Sequence, residues 1–124
     1  FVVHIPTVQQ METVLYVGEH SKHTMPNKLD NLPLFYQEGV DIPMVEGSAG
    51  YLLCQVIPNP QQEQNYDSFM GEIAAAWADD RVFDGRQWTF DEAPDELRTV
   101  HYVAGGQFYA MGKGTKFDHG PGQD

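Results

Sequence analysis

The chain has 124 residues, a formal net charge of −11 and one cysteine. That length fits a single domain, and a 41% hydrophobic content is enough for a packed core. One cysteine excludes an internal disulfide, no apolar run approaches the ~20 residues of a membrane helix, and the acidic balance disfavours nucleic acid.

Residues 1–5, Phe-Val-Val-His-Ile, read as a buried strand from the first residue. No initiator Met and no polar lead-in stands before them, and we expect a fragment that has lost an earlier segment. Pro6 ends the strand. Thr7 stands three residues before Gln10, the spacing of a helix capping box. Val8, Met11, Val14 and Leu15 follow at helical spacing, so residues 7–17 form an amphipathic helix, with Gly18 as its stop.

Residues 18–49 contain Gly18, Pro26, Pro33, Gly39, Pro43 and Gly47. They predict a long irregular connection with one helical turn near residues 32–36. Connections of that length inside a compact domain are often functional. Residues 51–57 form a strand, and the Gln-rich stretch after Pro58-Asn59-Pro60 forms a turn or exposed loop. Residues 66–79 are ambiguous on local grounds. Three consecutive alanines favour helix, whereas Gly71 and the alternation of Phe69, Ile73, Ala75 and Trp77 favour strand.

Residues 79–94 are polar and acidic, and Phe83-Asp84-Gly85 and Trp88 stand out within them. Residues 94–98 suit a short helix, with Pro94 at its start and acids at its N-terminal end. Residues 100–103 and 107–111 are strands flanking Gly105-Gly106, a turn pair. Residues 113–124 are Gly-rich and polar and are expected to be a flexible tail carrying His119. No internal repeat is present. Several short strands, one clear helix and long loops make the domain mainly β, of α+β or barrel type.

Few residues carry obvious chemistry. His20, His23 and Glu19 are close in sequence, but their spacing is not that of a zinc-peptidase helix, and a polar loop explains them. No metal site is expected. His4, between Val3 and Ile5, suits a hydrogen-bonded barrel or interface histidine. Cys54 lies in an apolar strand and suits a buried structural thiol rather than a reactive one. There is no nucleophile elbow, Walker loop or dinucleotide fingerprint. Ser21, Lys22 and Lys28 put a hydroxyl and two of the seven basic residues within eight positions of an acidic chain. Such a cluster can hold a phosphate, although ordinary solvated lysines would give the same pattern.

The order of segments resembles the flavin reductase-like, FMN-binding split-barrel family of flavoredoxin type. Residues 1–6 are similar to its "F-V-V-N-I-P" strand, with His4 at the Asn position. Gly18, Ser21 and residues 27–29 resemble "G-x-x-S…D-K-F", with Asn27 for Asp and Leu29 for Phe. Residues 50–56 resemble "L-E-C-x-V", with Leu53 for Glu. Residues 69–73 resemble "F-I-G-E-V", and residues 101–109 resemble "L-Y-L-G-G-x-x-Y". Five weak motifs in the right order support one another across residues 1–112, which we take as a partial split-barrel domain.

The resemblance implies a split β-barrel truncated at its N-terminus and makes residues 66–79 a strand. It implies non-covalent FMN, NAD(P)H as electron donor and a homodimer. The flavin would do the redox chemistry, so no catalytic side chain is assigned. Ser21, Lys22 and Lys28 would lie near the flavin phosphate or ribityl chain. By the same resemblance Tyr102, Tyr109 and Trp77 are candidates for aromatics beside the flavin, although packing in a core or interface is the weightier reading for each. A non-catalytic FMN-binding or electron-transfer module, or a flavin-free dimeric remnant, is the alternative to an oxidoreductase. Neither nucleic acid nor a membrane is an expected partner. The unpaired cysteine and the lack of a visible signal sequence lead us to expect a cytoplasmic protein.

Overall fold

A computed structural model describes residues 1–118, so His119 lies outside the described residues. The strands fall into three antiparallel sheets. In the largest, β4 (Gly50–Ile57) is central between β1 (Val2–Ile5) and β5 (Met70–Ala78). β1 pairs with the first half of β4, from Ile5 opposite Gly50 to Val2 opposite Leu53. Phe1 prolongs the ladder: its carbonyl accepts from the Cys54 amide at 2.7 Å, and its ammonium donates to the Cys54 carbonyl at 2.9 Å. Beyond that point β4 pairs only with β5, after a bulge between Leu53 and Cys54. The strand expected over residues 66–79 is present over Met70–Ala78, whereas Tyr66 ends the helix before it. Its Gly71 lets the Phe1 ring close in, because a Cβ there would lie 2.7 Å from the ring's tip and 3.1 Å from the Cys54 Cβ. Cys54 is buried, as its apolar sequence context predicts.

A 3₁₀ turn, Val8–Gln10, leads into α1 (Met11–Glu19). The Thr7–Gln10 spacing does its expected work, with the Thr7 amide donating to Gln10 Oε1 at 3.1 Å. The helix does not stop at Gly18. It runs on to Glu19 because the Lys28 ammonium donates to the carbonyls of Val17 and His20, at 3.1 and 2.6 Å. Those bonds satisfy C-terminal carbonyls that a left-handed glycine would otherwise leave to the backbone.

Two further segments differ from expectation. Residues 32–36 do not form a helical turn. Leu34–Phe35 (β2) pair with Met44–Val45 (β3), and the Glu46 amide donates to the Pro33 carbonyl at 2.8 Å. Pro33 is incompatible with continuing a helix from the turn before it, and the ladder gives the extended chain its partners. The Gln-rich stretch is not a loop but α2 (Pro60–Tyr66). Asn59 caps it, its Oδ1 accepting from the Gln62 amide at 3.2 Å while its own amide donates to Glu63 Oε2 at 3.0 Å. Pro60 occupies the first turn, and Asp67 ends the helix in a left-handed conformation with φ 48°.

The C-terminal half folds back on the start of the chain. A 3₁₀ turn at Phe90–Glu92 and another at Asp95–Leu97 precede a hairpin of β6 (Val100–Ala104) and β7 (Gln107–Ala110). Gly105 and Gly106, at φ 61° and 84°, make its turn, for which glycine is the natural residue. The Val8 amide donates to the Arg98 carbonyl and the Val100 amide to the Pro6 carbonyl, which docks the hairpin on the first turn of the chain. Ala49, Val82 and Leu97 form the core, with Ile5, Phe90 and Ala93 packed around them. Among the described residues no helix is long and apolar enough to cross a membrane.

A buried polar network holds these parts in register. Tyr51, only 7% exposed, donates to the Val45 carbonyl at 2.6 Å, and its hydroxyl accepts from the Ser48 amide at 3.3 Å. Replacing Tyr51 with Phe removes the hydroxyl and leaves a carbonyl and an amide short of partners. We expect a loss of about 1–3 kcal/mol. Urea unfolding checks it, and a midpoint equal to that of the parent would refute the assignment.

Candidate functional site

The loop after α1 carries the three residues singled out from the sequence. It opens with His20 in an extended conformation. The Thr24 and Met25 amides then turn back to the Ser21 carbonyl, at 3.0 and 2.6 Å. The Ser21 hydroxyl oxygen accepts from the His23 amide at 3.1 Å and still has its own proton to donate. Lys22 is exposed, and its ammonium makes no hydrogen bond or ion pair among the described residues. Lys28 is placed differently. Two of its three donors hold the end of α1, and one remains.

The loop therefore offers one hydroxyl, one unpartnered ammonium and one further donor near the C-terminal end of a helix. That end carries partial negative charge, which Lys28 offsets before any anion approaches. These groups suit an exposed phosphate held by point charge rather than one gripped by a deep pocket. His20 does not share this role: its Nδ1 lies 2.8 Å from the Tyr16 carbonyl, and its ring packs 4.6 Å from that of Tyr16. Among the described residues no group of three His, Cys, Asp or Glu side chains is arranged to hold a metal.

A cleft of about 520 Å³ is lined in part by the 46–48 turn. Phe35, Tyr51, Trp77 and Arg81 are among its lining residues. Arg81 forms a close pair with Asp79, 2.7 Å from Nη2 to Oδ2, and the guanidinium holds the Asp79 carboxyl below its usual range. Trp77 is half-buried there. Tyr102 and Tyr109 are not core residues: they are 46% and 63% exposed on the β6–β7 hairpin. Among the described residues their strands form a two-stranded sheet of their own. Sequence spacing did not single out Arg81, in the loop after β5, or Phe35, in β2.

His4 has the role expected of a satisfied histidine. Its Nε2 accepts from the Val45 amide at 3.0 Å, and its ring meets Tyr51 edge-on at 5.1 Å. Burial lowers its pKa below the ordinary 6.5, partly offset by a hydrogen bond to the Val2 backbone. An accepting Nε2 requires the neutral ring. The unfolded chain takes up a proton near 6.5, whereas the folded chain takes it up only at lower pH. The stability that this histidine contributes is therefore complete above that value and is lost as pH falls through it toward the folded pKa. Comparing the parent with His4→Asn by urea unfolding from pH 7.5 to 5 checks this. We expect the parent to lose stability more steeply, and parallel profiles would contradict it.

No protein-family model matches the chain. It is similar to the crystal structure of an FMN-binding domain of a flavin reductases-like enzyme from Shewanella baltica OS155. The two are 43% identical with a TM-score of 0.90, over 95% of this chain and 63% of that one. Nitrilotriacetate monooxygenase component B from Bacillus cereus, 15% identical, shares the fold with a TM-score of 0.65 over 94% of this chain and 58% of that one. Flavoredoxin from Methanosarcina acetivorans, 17% identical, does so with a TM-score of 0.59, over 98% and 62%. The uncharacterized protein YddH of Escherichia coli K12 is 36% identical over 73 residues, which are 58% of this chain and 38% of that protein. The chain thus spans less than two thirds of the length of each of these relatives.

Proposed function

We propose that this chain, which belongs to the flavin reductase-like split-barrel family, is part of a flavoprotein that binds FMN without a covalent bond and passes electrons from NAD(P)H to an acceptor. The observation that carries the proposal is the 43% identity to the Shewanella domain across 95% of the chain. FMN, when bound, would supply the redox chemistry; the protein's share is binding and orientation. In this reading Lys22 supplies a point charge to the phosphate and Ser21 donates a hydrogen bond. Lys28 braces the loop against α1 and offers its third donor. No side-chain acid or base is assigned.

A protein of this kind that holds FMN without nicotinamide-dependent turnover would keep the same phosphate contacts, and reduction separates the two. Absorption spectra are recorded after FMN is added and excess is removed by desalting. We expect retained flavin absorbance that NADH or NADPH bleaches. Lys22→Ala, which breaks no hydrogen bond or ion pair among the described residues, should weaken FMN binding roughly tenfold, the loss of one charge-assisted contact. Unchanged affinity in that variant would remove the loop from the site. Flavin that is retained but never bleached would leave a binding module and refute the oxidoreductase.

We further propose that the chain is a homodimer. β5 is an edge strand, with nine residues almost all exposed and Met70 and Ile73 at 46% and 58%. A long apolar edge invites pairing with another strand. Light scattering should give a dimer for the parent and a monomer for Ile73→Lys. A parent that stays monomeric at high concentration would sink this proposal.

A further inference from the structure

Among the described residues β2 and β3 pair only with each other, and individual hydrogen bonds fasten this flap to the larger sheet. The Glu46 amide donates to the Pro33 carbonyl within the flap. Val45, one residue earlier, faces the other way, because successive residues of a strand alternate in direction. Its amide donates to His4 Nε2 at 3.0 Å, and its carbonyl accepts from the Tyr51 hydroxyl at 2.6 Å. These two groups belong to different peptide units. His4 holds the Met44–Val45 peptide, and Tyr51 holds the Val45–Glu46 peptide. Beyond them Gln10 Nε2 donates to the Glu46 carbonyl and Thr7 Oγ1 to the Gly47 carbonyl, and neither side chain titrates.

Of these fastenings only His4 changes charge near neutral pH. The neutral ring accepts at Nε2. The imidazolium carries a proton on both nitrogens and accepts nothing, so protonation sets the Val45 amide against another donor. The surroundings of His4 hold little charge. β1 packs on β4 and β3. β4 has no Asp, Glu, Lys or Arg, and its Tyr51 ring meets that of His4 edge-on at 5.1 Å. The thiol-bearing Cys54 lies at the far end of β1, bonded through its backbone to Phe1, whose ammonium donates to the Cys54 carbonyl. β3 has no charged residue, and Glu46 just after it is exposed. Burial is the larger cause of the lowered His4 pKa, and no charged group is among its causes.

We propose that His4 is a pH-operated latch: protonation of its imidazole frees the Met44–Val45 peptide, and the β2–β3 flap swings off Tyr51 and widens the cleft that Phe35, Tyr51 and Trp77 help to line. Phe35 pairs with Met44 across the ladder, so it moves with the freed peptide. Its ring meets that of Tyr51 edge-on at 5.5 Å, and the swing breaks this contact. The Val45–Glu46 peptide, still held by Tyr51, is the hinge. Met44 is fully buried and draws the flap back, so acid shifts a population rather than detaching the segment. The open form holds a histidine of ordinary basicity, and the closed form one of depressed basicity. The closed form is therefore fully favoured above the ordinary value of 6.5 and loses ground as pH falls toward the lower one. One proton limits that change to about tenfold per pH unit. None of the residues of the Ser21–Lys28 loop lines the cleft, and the latch does not depend on the reading of that loop.

The test reads Trp77 in the cleft. Trp88→Phe leaves it as the sole tryptophan. Between pH 7.5 and 5.5 we expect acrylamide quenching of Trp77 to rise about twofold or more while the far-UV circular dichroism stays constant. The midpoint should coincide with that of the His4 imidazole followed by NMR. His4→Gln offers an amide oxygen in place of Nε2 and does not titrate, so its quenching should stay flat. The other four histidines remain in that variant, and a response retained there would belong to them and overturn the proposal. The parent supplies a second reading without any substitution. Its Val45 amide should exchange hydrogen several-fold faster at pH 5.5 than at 7.5 after correction for the intrinsic rate, whereas the Glu63 amide of α2 should not change. Flat Trp77 quenching, a midpoint apart from that of His4, or unchanged Val45 exchange would each overturn the latch. So would a rise in quenching accompanied by loss of circular dichroism, which is unfolding of the whole chain. Neither reading uses added flavin, so the latch and the FMN proposal fail separately.

Discussion

The 44–51 segment must be held against the start of the chain, and a buried set of hydrogen bonds does it. Thr7 Oγ1 donates to the Gly47 carbonyl at 2.7 Å, and Gln10 Nε2 donates to the Glu46 carbonyl at 2.8 Å. Ser48 Oγ donates to Gln10 Oε1 at 3.2 Å, so one glutamine joins the helix cap to the turn. Tyr51 and His4 complete the set on the strand side. Thr7, Gln10 and Ser48 are all buried, and no buried side-chain nitrogen or oxygen among the described residues lacks a partner. A buried polar set that is fully paired specifies one arrangement, because any slip strands several groups at once. Gly47, at φ 100°, is the one place where the backbone had to take a left-handed turn to bring these carbonyls round.

That clamp does for this fold what a larger core would otherwise do. The core cluster of Ala49, Val82 and Leu97 is small, and much of the large apolar surface lies outside it. Val56, Ile57, Phe69, Met70 and Ile73 are exposed along the β4–β5 arm, where β1 no longer covers β4. Tyr102, Val103 and Tyr109 are exposed on the hairpin. Such surface is not scattered at random: it lies on strands whose outer edges or faces carry no second layer among the described residues. In natural sheets such edges are usually paired, covered or charged. The polar clamp and the unpaired strands therefore divide the molecule into a fixed centre and an exposed apolar surface.

Much of this was legible in the sequence where the signal was local. Thr7 and Gln10 announced the helix start, Gly105-Gly106 the hairpin, and the alternation around Ile73 the strand, once the family resemblance removed the helical alternative. The mainly β architecture followed from these. What sequence reading missed shares a cause. Gly18 lost its role as a stop because Lys28, ten residues on, reached back to the helix end. Residues 34–35 became a strand only because residues 44–45 were available to pair. α2 was missed for a different reason: Asn59, Pro60 and Glu63 are a capped helix start, but the glutamines after them show no apolar period to reinforce it.

The candidate site shows the same limit more sharply. Composition could place two lysines and a serine in one loop, but not say what each already holds. Lys22 and Lys28 look alike in the sequence, yet among the described residues one is without a partner and the other fastens a helix. That distinction makes Lys22 the sharper probe of ligand binding, since removing Lys28 also releases two carbonyls at the end of α1. Arg98 teaches the converse. Nothing near it in sequence marks it out, but three hydrogen bonds through its planar fork tie Asp91, Asp95 and Gly112 into one rim. A lysine could not serve there, because its single ammonium cannot present donors in three fixed directions across that span. In an acidic chain with seven basic residues, where each cation is placed decides which loops are anchored by side-chain donors and which are not.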